Sequence, residues 1–276
     1  TFTSKKILQY AIILLGFGMN LFEIFRVGSQ SLLIIISTIG TALVVSYAVS
    51  RIMKIDHDIA TLVGVGSSIC GGSAIAAAAP VIKASDEDIA QSISVIFLFN
   101  VIAAFLFPTL GAILGFNDMG FGMWAGTAIN DTSSVVAAGQ TWASASGSDT
   151  ALNYATIVKL TRTLAIIPIC LGLAYLTSKR KATTSEVKIS SIFPMFIIYF
   201  LGASIINTFA GSHFDFFQFL PAIGKFMIAM AMAAIGLNTN LVKLIKTGGK
   251  PILLGLICWF CIAVVSLAMQ HLLNIW

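Results

Sequence analysis

Uninterrupted apolar runs of membrane-spanning length dominate this chain, and they decide what it can fold into. A helix needs about 20 mostly apolar residues to cross a bilayer. Segments 7–25, 31–53, 58–83, 88–115, 119–142, 151–177, 190–210, 217–241 and 250–273 read as such spans. They are too long and continuous for barrel strands, which alternate over about 10 residues. Composition agrees: 58% of residues are apolar, 10% are charged and the mean hydropathy is +0.96, where a soluble domain carries about 25% charge. The expected fold is all-α, a single polytopic transmembrane domain over residues 1–276. Soluble-enzyme, nucleic-acid-binding and secreted disulfide classes are excluded.

Cys70, Cys170, Cys258 and Cys261 all lie in apolar stretches, where a free thiol acts as a small hydrophobe. The C-x-x-C of Cys258 and Cys261 has no His nearby, so no metal, redox centre or cofactor is expected. The chain opens Thr1-Phe2-Thr3-Ser4-Lys5-Lys6, with neither Met nor a signal-peptide pattern. It reads as starting inside a longer protein, with further helices upstream.

Basic residues set an orientation. With the N-terminus cytoplasmic and every segment crossing, the inside connectors hold Lys5, Lys6, Arg51, Lys54, Lys179, Arg180, Lys181, Lys188, Lys243, Lys246 and Lys250. The outside connectors hold only Arg26 and Lys83. That asymmetry follows the positive-inside rule and leaves the C-terminus outside.

Sliding the chain by 220 residues lays 11–48 on 231–268 without a gap and matches Ala11/Ala231, Gly16/Gly236, Asn20/Asn240, Leu21/Leu241, Gly28/Gly248, Leu33/Leu253, Val44/Val264, Val45/Val265, Ser46/Ser266 and Ala48/Ala268. Under the charge-derived topology the two copies run in opposite directions. Inverted repeats of this kind are the build of many secondary transporters.

Two spans carry interruptions. The third reads Gly64-Val65-Gly66-Ser67-Ser68-Ile69-Cys70-Gly71-Gly72-Ser73, and adjacent glycines weaken a helix. The fifth holds Asn130-Asp131-Thr132-Ser133-Ser134, an N-cap string in mid-span. Non-helical backbone at that depth needs protein or a watery cavity around it. A half-helix starting just after each break, at about Ser73 and Thr132, would aim its free N–H groups and positive dipole end inward, which suits an anion. The competing reading is that small residues merely allow close helix packing.

Charged side chains inside a membrane usually serve function. Lys159 and Arg162 share a face of the sixth span, and Asp131 is the acidic residue placed deepest. Asp131 could cap its half-helix, pair with either cation, or carry a proton. Asn100 reads as inter-helix glue or a lining group, and Lys225 as a snorkelling or additional charge. The cations outnumber Asp131, so the expected cargo is an anion. His57, His213 and His271 lie near connectors or an end and are given no role.

The stretch Ser68-Ile69-Cys70-Gly71-Gly72-Ser73-Ala74-Ile75-Ala76-Ala77 resembles the YeiH-type family of bacterial inner-membrane proteins, which are labelled sulfate exporters. Leu15-Gly16-Phe17-Gly18, Phe97-Leu98-Phe99-Asn100, Asn130-Asp131-Thr132-Ser133 and Val158-Lys159-Leu160-Thr161-Arg162-Thr163 carry the same resemblance along the whole chain. Where that family often shows Cys-Gly-Asn-Ser, this chain has Cys70-Gly71-Gly72-Ser73. The family is similar to the bile-acid transporter and sodium/proton antiporter group, with crossed broken helices in a core domain. The resemblance implies a secondary transporter of a small anion, sulfate or sulfonate-like, in the bacterial inner membrane.

The expected site is therefore Ser67, Ser68, Gly71, Gly72, Ser73, Asn130, Asp131, Thr132, Ser133, Ser134, Lys159 and Arg162, with Asn100 and Lys225 as additional residues. The anion would bind between the breaks while a scaffold that includes the repeat pairs supports the moving core. Expected partners are a small anion, a coupling proton or sodium ion, and the lipid bilayer. A further copy of the chain is left open and nucleic acid is excluded. No enzyme is expected. The rival reading is a cation/proton antiporter working through Asn130-Asp131.

Overall fold

A computed structural model describes residues 6–181, 195–210, 219–228, 230 and 249–275. The described residues are mostly helical, and there is no strand among them. In chain order the helices are α1 (Leu8–Gly16), α2 (Leu21–Met53), α3 (His57–Ser68), α4 (Gly72–Ile82), α5 (Asp86–Ile113), α6 (Asp118–Ala128), α7 (Thr132–Ser146), α8 (Thr150–Thr163), α9 (Ile166–Lys181), α10 (Met195–Ala210), α11 (Phe219–Ile228) and α12 (Gly249–Leu272). Among the described residues four stretches are long and apolar enough to cross a membrane: Leu21–Met53, Asp86–Ile113, Thr150–Thr177 and Gly249–Leu272. Large apolar side chains, among them Phe25, Ile52, Phe105 and Ile113, point outward from these helices. A soluble fold would hide them; a lipid-facing surface requires them.

Among the described residues two span boundaries differ from the sequence expectation, and parts of the expected spans 190–210 and 217–241 lie outside the described residues. The connector expected between 25 and 31 is helix, and α2 runs through it for 33 residues. Gly28 there is a packing residue, since a Cβ on it would stand 3.2 Å from Thr161 Oγ1. The chain breaks earlier, at Phe17–Asn20. Asn20 caps α2 by accepting from the Phe22 N–H at 2.8 Å. Ser204 and Asn207 of α10 donate to the Met19 carbonyl, and Thr208 accepts from the Leu21 N–H. Arg26 therefore sits exposed on a helix and in no connector. The sixth span, expected unbroken over 151–177, has a turn at Leu164 and Ala165. Pro168 has no N–H to offer the Leu164 carbonyl, and the two turn residues bond three back, to Thr161 and Arg162.

The third and fifth spans are interrupted, as their glycines and N-cap string predict. Twelve residues of α3 and 11 of α4 flank the first break, and 11 of α6 and 15 of α7 flank the second. Each break thus lies near the middle of its rod. The helix α8 beds against both α6 and α7, α5 against α3 and α7, and α12 against α2 and α6. Close approach of α6 to α8 depends on Gly122 and Gly126, where a Cβ would come within 2.6 Å of Tyr154 and 2.7 Å of Val158. For Gly126 the packing reading of the small residues therefore holds.

The helices related by the 220-residue offset share a register of burial. Along α2 from residue 29 onward the buried positions are Ser31, Ile34, Ile35, Thr38, Ala42, Ser46 and Ser50; along α12 they are Pro251, Leu254, Gly255, Cys258, Ile262, Ser266 and Gln270. Each member of the second set lies 220 residues after its counterpart. Ser46 donates to the Ala60 carbonyl of α3, while Ser266 bonds Thr127 of α6. The pair thus clasps the first half of each interrupted helix and packs on the crossing. Residues 231–248, which hold the partners of Ala11, Gly16, Asn20, Leu21 and Gly28, lie outside the described residues.

Candidate functional site

The first break is built on Gly71. Its backbone stands at φ 71°, ψ −129°, a conformation that only glycine adopts without strain. It lets the chain leave α3 after Ser68, pass Ile69 and Cys70, and restart as α4 at Gly72. A Cβ on Gly71 would lie 3.3 Å from the Asp131 Cβ and 3.4 Å from Asn100 Nδ2. The two breaks therefore touch. The second break needs no glycine: Ile129 and Asp131 are extended, and Asp131 caps α7 by accepting from the Ser133 N–H at 2.9 Å. The Ser133 hydroxyl donates to the same carboxylate oxygen. Asn100 of α5 accepts from the Asp131 N–H at 3.1 Å, so the interhelical glue ties α5 to the break itself.

Helix C-termini leave carbonyls without partners, and an unpaired one in a bilayer costs several kcal/mol. Both first halves, α3 and α6, end in this condition. Lys159 and Arg162 of α8 meet the need. Lys159 Nζ donates to the Ile69 carbonyl at 2.7 Å and the Ile129 carbonyl at 2.9 Å. Arg162 donates from Nε to Ser68 O at 2.8 Å, from one terminal nitrogen to Ser67 O at 2.9 Å, and from the other to Thr127 O. Both side chains are 0% exposed. Among the described residues the ion pairs are His57–Asp58 and Lys225–Asp149, so Asp131 forms none with either cation. Five carbonyl dipoles at two negative helix ends offset the burial of the two charges.

The second halves differ. The N-terminus of α7 has Asp131, whereas α4 has the N-cap Gly71 with no side-chain cap. Ser73 beside it is exposed and Gly72 half-buried, while Asp131 and Thr132 are half-buried at the facing end. Around them sit buried polar atoms without a hydrogen-bond partner among the described residues: Ser67 Oγ, Asn100 Nδ2 and both amide atoms of Asn130. Asn100 is 2% and Asn130 1% exposed, and buried polar groups in that condition are rare.

Of the residues expected from sequence, Ser67, Ser68, Gly71, Asn100, Asp131, Ser133, Lys159 and Arg162 are joined by the contacts above. Gly72, Ser73, Asn130, Thr132 and Ser134 line the same two breaks. Lys225 lies elsewhere: it pairs with Asp149 at the start of α8, about 15 Å along the helix from Lys159 at ~1.5 Å per residue. Sequence reasoning missed Ile69, Thr127 and Ile129. They act through backbone carbonyls, which leave no trace in side-chain identity.

The model of the family described as Conserved hypothetical protein 698 matches residues 1–255. A UPF0324 membrane protein of Streptococcus pyogenes serotype M3 (strain ATCC BAA-595 / MGAS315) is 58% identical over 282 residues, covering 100% of this chain and 83% of the relative. One from Fusobacterium nucleatum subsp. nucleatum is 55% identical over 289 residues, covering 99% and 84%. One from Streptococcus agalactiae serotype V is 55% identical over 278 residues, covering 100% and 83%. No solved structure matches.

Proposed function

The chain belongs to the Conserved hypothetical protein 698 family, the UPF0324 or YeiH-type membrane proteins, and from that premise we propose that it is a secondary active transporter of a small anion. The cargo is sulfate or a sulfonate-like anion, moved across the bacterial inner membrane by alternating access. The arrangement is an inverted repeat around two crossing interrupted helices, with the N-terminus of this chain cytoplasmic and its C-terminus outside. The register shared by α2 and α12, and their hold on α3 and α6, support that symmetry.

One observation carries the anion reading. Four half-helix ends meet at the crossing, and three have a side chain of complementary charge. The C-termini of α3 and α6 have Lys159 and Arg162, and the N-terminus of α7 has Asp131. The fourth, at Gly71-Gly72-Ser73, is a positive end with no side-chain cap and an exposed serine beside it. An anion completes the set. The unpaired Asn100 amide, close to Gly71, offers it a further donor.

The test is uptake into proteoliposomes holding the purified chain, across sulfate, sulfite, sulfonates and carboxylates, with sodium and pH varied. Saturable anion uptake is the expected result. Cation-dependent proton movement with no anion requirement would overturn it in favour of a cation/proton antiporter working through Asn130-Asp131, a reading that the half-buried Asp131 carboxylate keeps in play.

A further inference from the structure

Membrane carriers hold coupling cations with unwound backbone carbonyls and the C-terminal ends of half-helices. The crossing of this chain presents that ligand set already filled. The carbonyl of Ile69 comes from one break and that of Ile129 from the other, and they meet on the Lys159 ammonium at 2.7 and 2.9 Å. Those distances are ordinary N–H···O hydrogen bonds, and a pair of neutral carbonyls suits a single positive charge, where Mg²⁺ and Ca²⁺ take more oxygens and carboxylates. No carboxylate among the described residues stands within ion-pair distance of Lys159, and the hydrogen bonds of its ammonium go to carbonyl oxygens, the ligands a bare cation would take.

We propose that the crossing is a monovalent-cation seat whose ion is the tethered ammonium of Lys159, so that a built-in charge replaces a coupling metal ion. Arg162 holds the walls separately, through Ser67, Ser68 and Thr127. Shortening Lys159 therefore opens the seat without dismantling it. Two consequences follow. The wild-type chain has no use for sodium at the crossing, and a chain lacking the ammonium accepts a free cation of similar size. The second is independent of what the protein carries; the sodium independence of uptake rests on the anion-transport reading above.

The experiment uses the purified chain in detergent, with unfolding followed by Trp fluorescence in choline, sodium, potassium or methylammonium chloride. The wild type should melt at the same temperature in all four. Lys159→Ala should melt lower in choline and regain roughly 2–4 °C in methylammonium or potassium, and less in sodium. Lys159→Met fills the seat with an apolar stem and should regain nothing. A methionine variant rescued as well as the alanine variant overturns the proposal, as does a folded alanine variant indifferent to every cation. Binding of radioactive sodium and rubidium to the wild type decides the matter even if neither variant folds: no saturable binding supports a filled seat, and saturable binding overturns it. In proteoliposomes, anion uptake that requires sodium also overturns it, whereas no anion uptake at all overturns only the transport reading.

Discussion

The two second halves, α4 and α7, carry a serine at the same place and form their first turns differently. Gly71 and Asp131 are the N-caps, and Ser73 and Ser133 occupy the same place, two residues on. At α7 the N–H and hydroxyl of Ser133 are both spent on the Asp131 carboxylate. At α4 no side chain caps the turn and Ser73 is exposed. The first halves show no such contrast, because α8 supplies donors to both C-termini. The difference separates structure from function at one crossing. Three ends are closed by side chains of the chain itself, and the one without a side-chain cap is where the proposed anion would bind.

The largest effect is expected from removing the feature the two rods share. Arg162→Ala leaves the carbonyls of Ser67, Ser68 and Thr127 without their donor. Each buried group left unpaired costs about 1–3 kcal/mol, which together approaches the whole stability of many proteins. The variant should fail to give a monodisperse peak in detergent, while Arg162→Lys, which keeps a charge and some donors, should be partly recovered.

Next in size is the backbone difference. Gly71→Ala adds a Cβ at φ 71°, 3.3 Å from the Asp131 Cβ, and should cost about 1–3 kcal/mol of stability. Gly72→Ala is its control. That residue is helical, and its Cβ would meet only Phe97 Cε2 at 3.4 Å, so its melting temperature should stay near wild type. Equal losses at the two positions would break the claim that the first interruption depends on one glycine.

These residues also mark how far the sequence could be read. Interruptions carry composition: Gly71-Gly72 and Asn130-Asp131-Thr132 are poor mid-helix strings, and both breaks lie where they predict. Lys159 and Arg162 were legible as buried charges because a bilayer penalises them. Their partners were not, since the carbonyls of Ile69, Thr127 and Ile129 belong to the backbone and would be there with any side chain. The α1–α2 boundary misled for a related reason. Gly28 falls in the connector expected between 25 and 31, but its small size serves contact with Thr161, while the break is made by Asn20 and by α10 side chains distant in sequence.

A smaller effect on stability, and a larger one on transport, is expected at the α7 cap. Asn caps a helix about as well as Asp, so Asp131→Asn should melt within about 2 °C of wild type, the shift expected for well under 1 kcal/mol in a chain of this size. It removes a negative charge facing the open end of α4, and sulfate should bind several-fold more tightly. Weaker anion binding, together with loss of proton movement, would move the comparison toward the antiporter reading.

The two serines give the finest test, because they hold one position in two settings. Ser133→Ala deletes a hydroxyl that donates to the Asp131 carboxylate, and such a bond contributes about 1.5–3 kcal/mol at most. Its cost should appear as a lowered melting temperature, with anion affinity little changed. Ser73→Ala deletes an exposed hydroxyl with no part in capping α4, so its stability should stay within about 0.5 kcal/mol of wild type. Its effect should fall on the solute. If the anion sits at the bare turn, losing one hydrogen bond to a charged group weakens binding by roughly 10–100-fold, read as a raised half-saturation concentration for uptake at unchanged protein yield. The two variants should thus exchange phenotypes. A Ser73→Ala chain with unaltered affinity would place the solute away from α4 and remove the functional meaning of its missing cap.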